Sequence, residues 1–223
     1  MKFAIIVPAR KGSKSLINKN LVYLKEKKLI EYTFREAKNI KIHKFILTND
    51  KRILKIAKNY NFITDYKRPE IISGAKVSLV KTLLHFLKWS KTKYKIDYFV
   101  ILQPTSPLRV TQDILGSINN VKKNKLHSLF SISESLEHPY ETINLSKKNK
   151  WNYVLSKAKK FYRRQDYDIN SYFINGAIYI ISTKYLEIYK KLISSKHGFY
   201  LMPKKRSVDI NSYEDLKIAE RLL

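Results

Sequence analysis

Four stretches of this chain carry side chains whose types and spacing could do chemistry together. The first follows an apolar run, Phe3-Ala4-Ile5-Ile6-Val7, and supplies Arg10, Lys11, Gly12, Ser13, Lys14, Lys19 and Asn20. Cations, a hydroxyl and a glycine at the carboxyl end of a strand suit an anionic, phosphate-bearing ligand. Arg10 and Lys14 supply charge, Ser13 and backbone N–H groups donate hydrogen bonds, and Gly12 permits close approach. A solvated basic turn is the plainer alternative. The loop is not a Walker A motif, because no glycine precedes Gly12 at the required spacing and Lys14 does not follow it directly; a GxGxxG is also missing.

The second stretch, Gln103 to Arg109 (QPTSPLR), offers Gln103, Thr105, Ser106 and Arg109 on a turn stiffened by its prolines. A rigid strand-to-helix turn would explain the prolines, but explains Gln103 less well. The third is Asn175-Gly176-Ala177-Ile178-Tyr179, preceded by Arg163-Arg164-Gln165. The fourth is Val208-Asp209-Ile210-Asn211, with Asp215 a turn further on. Asp209 and Asn211 alternate along an extended segment and so point the same way. They could hold a hard cation such as Mg²⁺ with help from a substrate phosphate. A cap on the following helix by Asn211 or Ser212 is the stronger reading of the residues alone.

These stretches need elements to hold them. Pro8 ends the first strand. Helical patterns follow at Leu29 to Asn39, around Ile53 to Ala57, at Val77 to Trp89, and at Thr111 to Val121 with Thr111 as cap and Asp113 in the first turn. Strands are expected at Phe45–Leu47, Phe62–Ile63, Tyr98–Leu102 and Leu129–Ile132. This alternation predicts a doubly wound α/β fold, Rossmann-like, with a mainly parallel sheet. The loop after the first strand and the Gln103 to Arg109 turn then lie at the same, ligand-binding edge of the sheet. From Glu134 to Asn170 the periodicity fails, and we expect an inserted arm there (about 134–172) that packs on a second subunit. The core resumes at Tyr179–Ile181, then a helix Tyr185–Leu192, a basic loop, and a final helix Tyr213–Leu223. The whole of 1–223 is expected to form one domain.

Composition narrows the class. The chain has 223 residues, 44% of them hydrophobic, and no cysteine, so disulfides and thiolate metal sites are excluded. Neither a signal-peptide pattern nor a membrane-length apolar run is present, which predicts a soluble, cytoplasmic protein. The formal charge is +27 and the isoelectric point about 10.0. The lysines are spread over the whole length, and codon bias toward Lys, Ile, Asn and Tyr accounts for them. Nucleic acid is therefore not the expected partner, although the field favours small anions.

Taken together the four stretches resemble the CMP-N-acetylneuraminate synthetase (acylneuraminate cytidylyltransferase) family. The shared blocks are Val7 to Lys14 with Lys19-Asn20, Leu102 to Arg109, Asn175 to Ile180, and Asp209-Ile210-Asn211 with Asp215-Leu216. The resemblance implies a homodimeric enzyme that joins CMP from CTP to a nine-carbon 2-keto sugar acid, releasing pyrophosphate with Mg²⁺ as cofactor. On that likeness Arg10, Gly12, Ser13, Lys14, Lys19, Asn20, Arg68 and Ser78 would bind CTP. Gln103, Arg164, Gln165, Asn175 and Tyr179 would meet the sugar, and Asp209 with Asn211 the metal. Arg10, Lys14, Lys19 and Asp209 would carry catalysis by positioning and charge neutralisation.

The chain departs from the family pattern at several points. Asn211 stands where a second aspartate is usual, which weakens the metal site and keeps open a nucleotide-binding homologue with impaired catalysis. Lys11 replaces a frequent glycine, and the segment after Pro69 lacks an acidic residue common there. A cation often present around His138 to Glu141 is missing, so a related acid such as legionaminate is open as substrate. A CMP-KDO synthetase is a further alternative, against which the Asn175 to Ile180 block argues.

Overall fold

A computed structural model of the chain describes residues 1–12, 16–146, 150–156 and 163–223. Its first strand, β1 (Phe3–Pro8), is buried along Phe3 to Val7, as expected of an apolar run that meets helices on both faces. The connection back to the sheet runs through two short strands, β2 (Tyr23–Leu24) and β3 (Lys27–Lys28), and helix α1 (Leu29–Lys38) to β4 (His43–Leu47). Helices α2 (Lys51–Lys58) and α3 (Leu79–Ser90) then lead to β5 (Tyr98–Leu102), and α4 (Thr111–Asn124) to β6 (Ser128–Glu134). After the arm, with its hairpin β7 (Ile143–Leu145) and β8 (Trp151–Tyr153), come β9 (Tyr172–Ser182), α5 (Thr183–Tyr189), β10 (His197–Leu201) and α6 (Tyr213–Leu222).

The main sheet has the order β10-β6-β9-β5-β1-β4. β1 is parallel to β4 and β5, and β10 to β6, while β9 runs antiparallel to both β5 and β6. The reversal has a simple cause. β6 and β9 are the two legs of a long hairpin, paired up to Glu134 opposite Tyr172, with the arm inserted at its tip. Among the described residues no α-helix lies between them to carry a parallel crossover, and they pair antiparallel.

Helices cover both faces. Ile30, Phe34, Ile53, Ala57, Ile114 and Val121 from α1, α2 and α4 pack with Ile5, Val7 and Val100 on one side. Leu83, Phe86 and Leu186 from α3 and α5 pack with Ile6, Phe45 and Phe99 on the other. A third cluster, Leu16, Leu24, Leu29, Leu108, Ile210 and Leu216, joins the loop after β1 to α6. Chain order places β4 on one side of β1 and β5 on the other, so the carboxyl ends of β1 and β5 flank a topological switch point.

Several local expectations change. Phe62-Ile63 forms a single parallel bridge, Phe45 to Ile63, in place of a strand. Helix α3 begins at Leu79, capped by the Ser78 hydroxyl, which accepts from Lys81 N–H at 3.2 Å. Thr111 is not the cap of α4. Val110 holds that position, Asp113 accepts its N–H, and the Thr111 hydroxyl donates to Glu36. The helix expected at Tyr185–Leu192 is displaced to Thr183–Tyr189. The supposed basic loop after it contains β10, half-exposed and alternating, as an edge strand beside β6.

Candidate active site

At the switch point lies a cleft of about 480 Å³ lined by Pro8, Arg10, Gly12, Lys19, Asn20, Ala75, Lys76, Gln103, Pro104 and Thr105. Among the described residues no carboxylate lines it, while Arg10, Lys19 and Lys76 do. Its floor follows from strand chemistry: β1 stops at Pro8 and β5 at Leu102, so the chain leaves the sheet at both places at the same edge. Gly12 adopts φ +71°, a conformation that favours glycine. The Arg10 guanidinium folds onto the Gly12 carbonyl, and Asn20 donates to the Arg10 carbonyl at 3.3 Å. On the far side Lys11 N–H donates to Asn49 Oδ1 at 2.7 Å. Ser13 and Lys14 lie outside the described residues.

Lys19 is the pivot between the loop and the chain's last turn. Its ammonium donates to the Ile210 carbonyl at 2.8 Å and to Asn211 Oδ1 at 3.1 Å. Burial lowers its pKa below the ordinary lysine value, against the raising fields of Asp209 and Asp215. Asn211 Nδ2 donates to Asp209 Oδ2 at 2.8 Å, so one amide links the ammonium to the carboxylate. Ser212 is the cap of α6, in a box with Asp215. Asn211 therefore does not cap through its side chain; only its N–H reaches Asp215, at 2.8 Å. Burial pushes the Asp215 carboxyl up, but hydrogen bonds from Asn211 and Ser212 together outweigh it and hold it below the usual range.

This geometry tests the fit of a hard cation. Asp209 is exposed and can offer carboxylate oxygen. Asn211 Oδ1 already faces an ammonium, so it ligates only if Lys19 withdraws. Among the described residues no group of three or more His, Asp or Glu converges on one point. The residues thus fit a cation held by one carboxylate, waters and ligand phosphate oxygens, the mode Mg²⁺ commonly adopts.

The other expected residues separate into three groups. Gln103 lines the cleft. Its carbonyl is fixed by Arg109 Nη1 at 3.2 Å, and Arg109 also donates to Ala177 O at 2.8 Å and Thr33 Oγ1 at 2.7 Å. Arg109 is therefore a buried brace of the turn, not a donor to ligand, and burial lowers its pKa to about 10. Arg68 is also buried, with Nε and Nη2 on the Ile72 carbonyl at 3.0 and 2.6 Å. It supports the turn before Ala75 and Lys76, and Ser78 lies exposed beyond it. Tyr179 is half-buried, and burial together with the field of Asp209 raises its pKa.

Asn175 has a structural explanation. The β6–β9 register shifts between Phe130 and Ile132, and Gly176 there has φ +75°. Across this bulge Asn175 Oδ1 accepts from Ser131 Oγ at 2.6 Å and Ala177 N–H at 3.2 Å, while Nδ2 donates to Ser207 Oγ at 2.9 Å. Its amide is engaged on every side and 3% exposed. Arg164 and Gln165 sit in the arm, away from this cleft. Arg164 is paired with Glu141 at 2.7 Å and Glu137 at 3.2 Å, beside a second cavity that also includes His138, Tyr167 and Lys204.

Known proteins resemble this chain in sequence and in fold. The chain is 28% identical over 219 residues to the post-translational flagellin modification protein B of Campylobacter coli, across 96% of this chain and 92% of that one. It is 30% identical over 226 residues to the N-acylneuraminate cytidylyltransferase of Streptococcus agalactiae serotype III, across 96% of this chain but 52% of the relative, so it spans about half that protein's length. In fold it is similar to a CMP:2-keto-3-deoxy-manno-octonic acid synthetase solved with CTP, with TM-score 0.72, 15% identity, and 100% and 98% of the two chains covered. The cytidylyltransferase family model matches residues 4–222, and the chain belongs to that family.

Proposed function

We propose that this chain transfers CMP from CTP to the anomeric hydroxyl of a nonulosonic acid, giving the CMP-sugar and pyrophosphate. The observation that supports this most is the cleft at the switch point, lined among the described residues by Arg10, Lys19 and Lys76 and by no carboxylate. A triphosphate is the ligand such a charge pattern favours. In this reading Arg10, Lys19 and, from the neighbouring loop, Ser13 and Lys14 neutralise and align the phosphates. Gly12 and Asn20 shape the loop, and Arg68 and Ser78 build the wall beside base and ribose. Gln103 and Tyr179 face the sugar, with Asn175 holding the bulge that sets the start of the Tyr179 segment. Charge on the leaving pyrophosphate is the main thing the site must stabilise. Asp209 would hold Mg²⁺, which when bound neutralises phosphate oxygens; Asn211 keeps Lys19 and Asp209 together beside it.

The arm completes the proposal. Leu136, Leu145, Trp151, Val154 and Phe173 are exposed on or beside it, more apolar surface than a lone hairpin keeps in water. We take the protein to be a homodimer in which each arm covers its partner, so that Arg164 and Gln165 approach the partner's sugar site. The cytoplasm, where CTP is available, is the compartment this activity suits. The test is pyrophosphate release from CTP and Mg²⁺ with N-acetylneuraminate, a legionaminate and KDO in parallel, with product mass. Release that needs both CTP and a nine-carbon acid supports the reading. Release with KDO alone moves the chain to the eight-carbon class, and no release with any acid refutes it.

A further inference from the structure

The cleft has two walls that meet at one side chain outside it. One wall is the loop after β1, at Arg10 to Gly12; the other is the segment from Glu70 to Lys76. Asn49, at the end of β4, touches both. Its Oδ1 accepts from Lys11 N–H at 2.7 Å, and its Nδ2 donates to Glu70 Oε2 at 2.9 Å. Only one orientation of the amide satisfies both contacts, because a backbone N–H can only donate and a carboxylate only accept. The neighbours reinforce this strut without replacing it. Ala9 N–H donates to the Leu47 carbonyl at 3.0 Å. Arg52, clamped on Asp50 at 2.7 Å, donates to Asn18 Oδ1 at 3.0 Å further along the same loop. The segment on the other side has its own brace in Arg68, so each wall is stiff by itself. Asn49 sets the distance between them.

We propose that Asn49 is a positioning residue for the nucleotide, acting through Lys11 N–H on the phosphate loop and through Glu70 on the opposite wall. The inference rests on the assignment of CTP to this cleft. Lys11 N–H is then engaged by Asn49 and does not face the ligand, and the wall that carries Arg10 and Gly12 is tied to Glu70. Opening the walls should weaken CTP binding more than it slows the chemical step, since Arg10 moves with its wall while Lys19, Asp209 and the sugar-facing Gln103 and Tyr179 lie on neither.

The polarity of the strut allows a sharp test. Asn49→Asp keeps an acceptor for Lys11 N–H but sets a second carboxylate against Glu70, so it should repel. Adding Glu70→Gln returns a donor from the other side and rebuilds the same chain of hydrogen bonds with the amide and acid exchanged. We expect Asn49→Ala and Asn49→Asp to raise the KM for CTP about tenfold with kcat within about threefold. Glu70→Ala, at an exposed position, should raise it less, and Asn49→Asp with Glu70→Gln should return to within about threefold of the parent. Circular dichroism checks folding, and Glu70→Ala remains a valid arm of the test if Asn49→Ala does not fold. A normal KM in Asn49→Ala or Glu70→Ala overturns the inference, as does a double variant no better than Asn49→Asp. A parent chain that releases no pyrophosphate overturns the reaction itself, which separates the two failures.

Discussion

The cleft above β1 and β5 and the arm between β6 and β9 both carry arginines, yet they use them in opposite ways. In the cleft, Arg10 has no carboxylate partner among the described residues and rests on a carbonyl of its own loop. In the arm, Arg164 is held between Glu141 and Glu137, and Arg163 by Asp166. Cations gathered without counter-charge repel one another and are a poor arrangement for an empty protein; they suit an anionic ligand. Paired, exposed cations contribute little to stability, and here they organise a small surface. The apolar residues show the reverse contrast. Around the cleft they are buried in three clusters, whereas on the arm many are exposed. Apolar surface is thus hidden around the cleft and open on the arm.

Variants should separate the two regions. The largest effect is expected from Asp209→Ala, which removes the exposed carboxylate linked to Lys19 through Asn211 and releases the Asn211 amide. Pyrophosphate release at saturating Mg²⁺ should fall nearly to background with the fold intact. A variant that keeps half the parent rate would remove Asp209 from the chemistry. In the arm, Trp151→Glu should leave CTP binding intact but dissociate the proposed dimer, because a charge cannot be buried in an apolar interface without a partner. Sedimentation velocity at micromolar concentration reads this directly, and a parent chain that is already monomeric and fully active would end the dimer proposal.

The smallest effect is the most informative about the metal. Asn211→Asp would add a second carboxylate beside Asp209 and should lower the Mg²⁺ midpoint of activity, since a site with Asp209 alone would lean on phosphate for its cation. An unmoved midpoint would show that residue 211 serves Lys19 and Asp209 only, the arrangement its hydrogen bonds display.

Much of the first region was legible in the sequence. Apolar runs ended by Pro8 and Gln103-Pro104 mark strand ends in any α/β chain, and ligand sites lie at such ends. What escaped were residues whose work is done by contact with distant segments. Arg109 reads as a ligand donor in a motif, but it is buried because Thr33, 76 residues away, and Ala177, 68 away, both close on it. Asn175 reads as a sugar contact until the register shift beside Gly176 shows why an amide is needed there. Asn49 carried no local signal beyond its place at the end of β4, next to the strand that feeds the loop. The reversed strand β9 could have been anticipated, since a polar arm in place of a crossover helix leaves β6 and β9 only a hairpin's geometry. The edge strand β10 was hidden because its alternating, half-exposed HGFYL pattern lies among lysines.

The comparison between the regions is tested most directly by titrating CTP calorimetrically into the parent chain, Arg10→Ala and Arg164→Ala. A charge-assisted hydrogen bond contributes about 1.5–3 kcal/mol, so Arg10→Ala should weaken CTP by about 10- to 150-fold. Arg164→Ala should leave CTP within about twofold of the parent, because its guanidinium lies on the arm beside Glu137 and Glu141. Equal CTP affinity in the parent and Arg10→Ala, or a loss found only in Arg164→Ala, would contradict the assignment of the nucleotide to the cleft.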